Sequence, residues 1–337
     1  MEPIEALDRI ATLMERGLAP PYKVQAFRRA ADTIRDRPVD ELRKLAAAGR
    51  LRSLPGVGSS TSRAIEQALA GEVPEYLARL EAEAAPDAGG GGEVLAALRG
   101  DLHLHSDWSD GGATIEQMAR RAVELGHEYI ALTDHSPTLK IAKGLSADRL
   151  RAQLEIVAGL NDELAPFRIL TGIEVDILED GALDQEEDLL AELDVVVASV
   201  HSKLRMDAQP MTDRMVAAMA NPHADVLGHC TGRMVMGRGR PESKFDADLV
   251  FAACTHFDKA VEINCRPERL DPPMRLLHQV VAAGCKVSID TDAHAVGQLE
   301  WQPNGCARAA DAELPLERIV NTWPMDDLLG WTGAHAA

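Results

Sequence analysis

The chain has 337 residues, 46% of them hydrophobic, and carries a formal net charge of −19. That leaves room for one large packed domain and a small one, while the longest apolar runs, such as Val195–Val200, are far too short to cross a bilayer, so no membrane partner is expected. The five cysteines (Cys230, Cys254, Cys265, Cys285 and Cys306) form no CxxC pair and imply neither a disulfide framework nor a thiolate zinc site, and the opening MEPIEALDRI has no apolar signal core; a reducing, cytoplasmic setting follows.

The charge is unevenly spread: residues 1–82 hold 13 Lys+Arg against 12 Asp+Glu, and the remainder 22 against 42. The first segment is helical in pattern. Ile4, Leu7, Ile10 and Leu13 are spaced by three, as are Leu42, Leu45 and Ala48, with breaks at Pro20–Pro21 and Pro38. Helices are predicted near 3–17, 22–36, 39–48, 58–70 and 74–82. Within them, Leu54-Pro55-Gly56-Val57-Gly58 makes a tight turn that exposes backbone N–H groups and feeds the next helix. A helix N-terminus with free N–H groups suits a phosphate. Gly56, Gly58 and Ser59, with Lys23 and Arg28 nearby, are therefore candidate contacts to a DNA backbone, although such a turn also serves purely structural ends. The Ala/Pro/Gly-rich stretch EAEAAPDAGGGGE (81–93) marks a flexible linker, which is set at 83–98. The chain thus divides into a small all-α domain (1–82), a linker (83–98) and a large domain (99–337).

In the large domain, strands are predicted at Asp101–His105, Tyr129–His135, Arg168–Ile177, Asp194–His201, Asp225–Cys230, Ala260–Asn264 and Lys286–Asp292. Amphipathic stretches at 114–126, 146–163, 212–220, 246–257 and 272–284 separate most of them. Such alternation implies a parallel sheet flanked by helices, and seven units favour a barrel; no GxGxxG follows the first strand. The placement of polar residues then stands out. His103, His105, Asp110, His135, Glu174, His201, His229, Asp292 and His294 fall at or just beyond the C-terminal halves of six strands, the end where parallel barrels assemble their sites. So many buried histidines and carboxylates are costly unless cations hold them together. The remaining histidines (His127, His223, His256, His278 and His335) do not join the pattern. A donor set of imidazoles and carboxylates without thiolates suits Zn²⁺, Mn²⁺ or Fe²⁺, and its size fits two to three ions. Paired divalent ions acidify water and clamp attacked and leaving oxygens, which serves displacement at phosphorus. No Ser-His-Asp or GxSxG pattern offers a protein nucleophile.

The motifs DLHLHSDWSDG, ALTDHS, GIEVDI, ASVHSKLR, DVLGHCTGR and IDTDAH closely resemble the polymerase-and-histidinol-phosphatase (PHP) family, most of all the PHP domain at the C-terminus of bacterial family X DNA polymerases. The resemblance covers about residues 99–328 and includes GLSADRL, INCRPERLD and NTWP. It implies a distorted seven-stranded (β/α)7 barrel with a trinuclear site bridged by Glu174. By that likeness one ion takes His103, His105, Glu174 and Asp292, a second Glu174, His201 and His229, and a third Asp110, His135 and His294. Residues 1–82 resemble the helix-hairpin-helix N-terminal domain of the same polymerases through PYKVQAFRRAADTI and LPGVGSSTSRAIEQAL. Ala64 occupies the position of the lysine carried by members with lyase activity, and the linker leaves no room for a polymerase palm. The expectation is a phosphoesterase acting on a phosphate-ester substrate, foremost a DNA 3′-5′ exonuclease or 3′-end processing enzyme. Glu174, Asp292 and His201 would lie at its catalytic heart and DNA would be held through the N-terminal domain. Lys203 and Arg233 are candidates to hold a phosphate, with surface roles equally open to them. A histidinol-phosphatase-like phosphomonoesterase is the alternative, and a DNA-binding scaffold with an idle barrel a third reading.

Overall fold

Apolar spacing in the first segment gives the five expected helices in the computed structural model, which describes residues 1–83 and 90–335. These are α1 (Pro3–Arg16), α2 (Pro21–Arg35), α3 (Val39–Ala47), α4 (Ser59–Leu69) and α5 (Glu75–Glu83). Proline opens α1 and α2, where its missing N–H is no loss. Leu7, Ile10, Phe27, Ile34, Leu42, Ile65 and Leu77 bury together as their shared core. Leu54 and Val57 anchor the turn before α4 on that core, while Gly56, at φ +73°, supplies the left-handed backbone between them. Thr33 Oγ1 donates to the Pro55 carbonyl at 2.9 Å and fixes the turn from α2.

The chain divides into two compact units, Met1–Asp87 with Val296–Gln298, and Ala88–Ala295 with Leu299–Ala337. The expected linker at 83–98 falls partly on residues outside the described ones, and its second half is corrected by the structure. Residues 92–97 form a helix, α6 (Gly92–Ala97), with Val94 buried. The reason lies in Gly91: a Cβ there would meet the backbone of Cys306 and Ala307 at 2.5 Å, so glycine lets the segment dock closely where a loop was expected.

The rest of the second unit runs β1 (Gly100–Leu104), α7 (Ile115–Glu124), β2 (Tyr129–Leu132), α8 (Ala147–Leu164), β3 (Arg168–Asp176), α9 (Glu187–Leu190), β4 (Val195–Ser199), α10 (Ala208–Met219), β5 (Val226–Leu227), α11 (Ala247–His256), β6 (Ala260–Asn264), α12 (Met274–Ala283), β7 (Lys286–Asp290), α13 (Gln302–Asp311) and α14 (Met325–His335). All strands pair in parallel in the order β1-β2-β3-β4-β5-β6-β7, which is the expected seven-stranded barrel. The strands end sooner than the apolar runs imply. His135, His201, His229 and Asp292 lie beyond the strands proper, on the first turns of the loops. The regular ladder has ended there, with His135 still joined to Glu174 by an isolated bridge. No helix among the described residues is long and apolar enough to cross a membrane.

Seven strands leave a gap between β1 and β7, which share no continuous ladder among the described residues. Near the mouth, His105 N donates to the Ala293 carbonyl and Asp292 N to the His103 carbonyl, each at 2.8 Å. Deeper down, side chains replace the ladder. Asp290 Oδ1 accepts from Leu102 N at 2.8 Å, Asn321 Oδ1 from Ile289 N at 2.7 Å, and Asn321 Nδ2 donates to Asp290 at 2.9 Å. A buried backbone group left unpaired costs about 1–3 kcal/mol, so these polar side chains hold the fold closed. Burial raises the Asp101 carboxyl to about 8 and that of Asp290 to about 6.

Inside the barrel, side-chain alternation builds layers. Leu102, Leu170, Val195, Val197, Val226 and Ala260 form an apolar floor with Val320, Leu328 and Trp331. On β3 the inward face climbs from Leu170 through Gly172 to Glu174. Gly172 is the hinge of that layering: a Cβ there would stand 2.7 Å from the Val195 carbonyl and 3.0 Å from that of Leu132. Gly172→Ala is expected to cost about 1–3 kcal/mol by overpacking and to lower Tm by several degrees in a thermal melt. An unchanged melting curve would show that β3 and β4 have slack at this level.

Candidate metal centre

The first ligand-type residues arrive through an irregularity. The pairing of β1 with β2 shifts between Asp101 and Leu104, so Leu102 reaches the apolar floor while the next residue, His103, also faces inward onto Glu174 and Glu262. Such a bulge re-aims side chains. All nine residues singled out in the sequence converge at the mouth. They form four overlapping groups: His105, Asp110, His135 and His294; His103, Glu174 and His229; His103, His105 and Asp292; and His135, Glu174 and His201.

Glu174 stands at the centre. Its Oε1 lies 3.1 Å from His201 Nε2 and 2.8 Å from His229 Nε2; its Oε2 lies 3.4 Å from His103 Nε2, 3.6 Å from His105 Nε2 and 2.8 Å from His135 Nδ1. Burial alone would push its carboxyl up, but the ring charges of His201, His103 and His135 hold it well below the usual carboxylate range. Burial likewise opposes charge on His201, yet Glu174 and Asp176 outweigh it and raise that imidazole to about 9. His229 goes the other way, to about 4, through burial and the neighbouring Arg269.

Exposure is graded across the mouth. The side chains of His103, His105, Glu174, His229 and Asp292 are at most 2% exposed, against 12% for His201, 19% for His294 and 35% for Asp110. His103 Nε2, both ring nitrogens of His105, both of His201, His135 Nδ1 and His229 Nδ1 are buried without a hydrogen-bond partner. Four of these nitrogens, His103 Nε2, His105 Nε2, His135 Nδ1 and His201 Nε2, point at Glu174, an arrangement of donors that fits a divalent cation.

Around these residues stands a supporting layer that sequence reading passed over. On β6, Glu262 Oε1 accepts from His103 Nδ1 at 2.6 Å, and Glu262 Oε2 accepts from the His229 backbone N–H. That fixes His103 with Nε2 toward the cluster, the carboxylate–histidine pairing that orients metal ligands. Asp134 sits beside His135 and takes hydrogen bonds from Ser106, Ser109 and Gln153, which ties down the loop carrying Asp110. Asp292 adopts φ +51°, a left-handed backbone that aspartate tolerates. Asn264 Nδ2 donates to its Oδ2 at 3.1 Å, Arg266 lies 3.3 Å from Oδ1 and Arg269 3.2 Å from Oδ2. Burial would favour the neutral acid, but Arg266, the His105 hydrogen bond and Arg269 hold the Asp292 carboxyl well below its ordinary range. The one available signal was AVEIN, an acidic residue inside an otherwise apolar strand.

Other candidates divide. Lys203 is exposed and pairs with Glu179 at 3.6 Å. Arg233 does not face the cluster with a free donor: its Nε donates to the Arg269 carbonyl at 2.9 Å, Nη2 to that of Leu270, and Nη1 pairs with Glu242 at 3.5 Å. In the first unit, Lys23, Gly56, Gly58 and Ser59 line one recess of about 630 Å³ together with Arg63 and Ala64. Arg28 is not among its lining residues; it is spent on α1, 2.9 Å from Glu15 and 3.4 Å from Asp8.

Comparison with known proteins follows the same division. A family model described as PHP domain matches residues 101–264, and one described as helix-hairpin-helix domain matches residues 1–73. The chain is 38% identical over 234 residues to the DNA polymerase/3′-5′ exonuclease PolX of Bacillus subtilis (strain 168), covering 69% of this chain and 41% of that protein, so it spans less than half of that relative's length. It is 31% identical over 216 residues to a probable phosphatase of Thermoanaerobacter sp. (strain X514), covering 59% of this chain and 82% of that one. Among solved structures, the histidinol phosphate phosphatase of Lactococcus lactis subsp. lactis, complexed with zinc, L-histidinol and phosphate, aligns at 20% identity and a TM-score of 0.45 over 64% of this chain and 93% of its own.

Two outcomes are expected. Chelation of divalent ions should lower Tm and re-addition restore it, since a ligand at about 100 times its Kd adds about 2.7 kcal/mol; a Tm indifferent to both would count against the site. Glu262→Gln should weaken metal affinity about 10- to 100-fold in a competitive chelator titration, with the fold intact by circular dichroism. Wild-type affinity would show that His103 needs no orienting carboxylate.

Proposed function

The chain belongs to the PHP family, and from that premise we propose that it is a metal-dependent phosphoesterase whose substrate is the end of a DNA strand, cleaved as a 3′-5′ exonuclease or 3′-end processing enzyme. The observation that carries the phosphorus chemistry is the join between the imidazole cluster and two arginines. Divalent cations held at the mouth, two to three by the size of the donor set and of the Mn²⁺, Zn²⁺ or Fe²⁺ kind, supply Lewis acidity and acidify water. The protein's own part is positioning. Glu174 presents one oxygen to each side of the mouth, and His201 and Asp292 flank it. Arg266 and Arg269 lie against Asp292, Arg269 through Nε, with Arg266 Nε and Arg269 Nη1 buried and lacking a hydrogen-bond partner. Guanidinium N–H groups held in place in a partly dry site suit the charge that develops on phosphate oxygens. Arg233 supports them from behind, through the carbonyls of Arg269 and Leu270.

DNA as the substrate class is supported by the first unit. Its hairpin glycines, Ser59 and Lys23 share one recess, and backbone contacts of this kind position a strand without reading its bases. The relative described as a DNA polymerase/3′-5′ exonuclease, 38% identical over 234 residues, favours the same reading. A small phosphomonoester is the second reading, favoured by the 42 acidic against 22 basic residues beyond residue 82. A cytoplasmic location belongs to the same proposal, since all five cysteines are free and buried.

The deciding assay gives the metal-loaded chain 3′-labelled single- and double-stranded oligonucleotides beside a panel of small phosphomonoesters. Higher kcat/KM on the oligonucleotides, shortened from the 3′ end, is expected; turnover of the small esters alone would hand the assignment to the second reading. Arg269→Met should reduce kcat/KM by about 10²- to 10³-fold, the usual cost of losing one charge-stabilising donor.

A further inference from the structure

Two loops at the barrel mouth differ in character from the acidic unit that carries them. Residues 136–146, which follow His135, contain Lys140 and Lys143 and no Asp or Glu; residues 233–240, which follow His229, contain Arg233, Arg238 and Arg240 and again no Asp or Glu. Loops after parallel strands all rise at the same end of the barrel. β2 and β5 are separated by β3 and β4 one way round and by β6, β7 and β1 the other, so these loops stand on opposite sides of the mouth with the cluster between them.

Each loop is pinned by hydrogen bonds yet presents aliphatic side chains to solvent. In the first, Asp184 accepts from Ser136 Oγ at 2.8 Å, Thr138 N at 2.6 Å and Thr138 Oγ1 at 2.6 Å, while Leu145 N donates to the carbonyl of His135 at 2.7 Å and Arg149 to that of Lys143 at 2.6 Å. Gly144 is pressed so tightly on Ser136 that a Cβ would lie 1.8 Å from its carbonyl. From this frame Ile141 projects 93% exposed. In the second, Met234 and Arg240 exchange backbone hydrogen bonds at 2.9 and 2.8 Å, and Val235 N donates to the Glu268 carbonyl at 2.6 Å. Its tip exposes Val235 at 49% and Met236 at 50% beside Arg238.

Ordering backbone costs about 1–2 kcal/mol per residue, and a side chain left in water returns none of it. A single exposed aliphatic group needs no explanation. Two hydrogen-bonded loops on opposite sides of the cluster, each pairing aliphatic with cationic groups, match one ligand chemistry: phosphates for the cations and base faces for the aliphatics. Isoleucine and methionine serve elsewhere as wedges between stacked bases. Building on the phosphoesterase reading, we propose that these loops are the barrel's own polynucleotide grip. Lys140, Lys143 and Arg238 take backbone phosphates, Ile141 and Met236 part the last bases, and the freed end drops toward the cluster.

The test uses the full chain, metal-loaded, with two double variants: Ile141→Ser with Met236→Ser, which leaves charge unchanged, and Lys140→Ser with Arg238→Ser. Binding is read by fluorescence anisotropy of a labelled phosphorothioate oligonucleotide, and turnover on the p-nitrophenyl ester of thymidine 5′-monophosphate. The aliphatic pair should raise Kd about tenfold, and the cationic pair should flatten the slope of log K against log salt by roughly 1–2; both should turn over the small ester as the wild type does. Unchanged binding overturns the proposal, as does loss of small-ester turnover, which would make the loops part of the site's own framework. Competition by inorganic polyphosphate as strong as by the oligonucleotide, with no effect of the aliphatic pair, would make the occupant a bare polyanion and overturn the wedge. Oligonucleotide binding through the loops with cleavage of small esters only would leave the grip standing and defeat the exonuclease reading. Cleavage of oligonucleotides unaffected by either variant would do the reverse.

Discussion

One carboxylate faced by five imidazoles governs this molecule. Glu174 is almost wholly buried at the barrel mouth and receives His201 and His229 on one oxygen and His103, His105 and His135 on the other. Neither a neutral nor a fully protonated cluster is comfortable there, because buried charge is tolerated only where it is matched. Everything near the mouth serves that match: the bulge in β1 that turns two histidines inward, Gly172 below Glu174, and the left-handed backbone at Asp292.

The fold meets a second constraint of the same kind. The ladder between β1 and β7 is incomplete among the described residues, and below the mouth Asp290 and Asn321 bond to strand backbone in its place. These groups lie directly beneath the ligands: Asp101 is two residues before His103, and Asp290 two before Asp292. Closure of the barrel and assembly of the site are therefore one problem, solved by residues of alternating role along the same two strands.

Much of this was legible in the sequence because the ligands carry their own spacing. DLHLH and IDTDAH place donors in pairs at strand ends, and the seven apolar runs announce the barrel. What stayed hidden has physical reasons. Glu262 looks like an isolated acid in AVEIN, and its role appears only when β6 is set beside β5 and across from His103. Arg266 and Arg269 sit in INCRPERLD, a motif noticed without a role, because charge alone does not reveal that both guanidinium groups bend back onto Asp292. Arg28 misled in the opposite sense: a cation near a phosphate-binding turn was satisfied by Glu15 and Asp8 instead. The helix at 92–97 was masked by the glycines before it, one of which permits close docking.

The gradient of exposure across the mouth, from Asp110 at 35% to His103 at 0%, also has a meaning in time. A cation travelling from solvent to the floor of the cluster meets Asp110, His294 and His201 before it meets His103 or His229. A cation held among the buried ligands would therefore exchange slowly and behave as part of the fold, whereas one held at the exposed rim by Asp110 and His294 would turn over more readily.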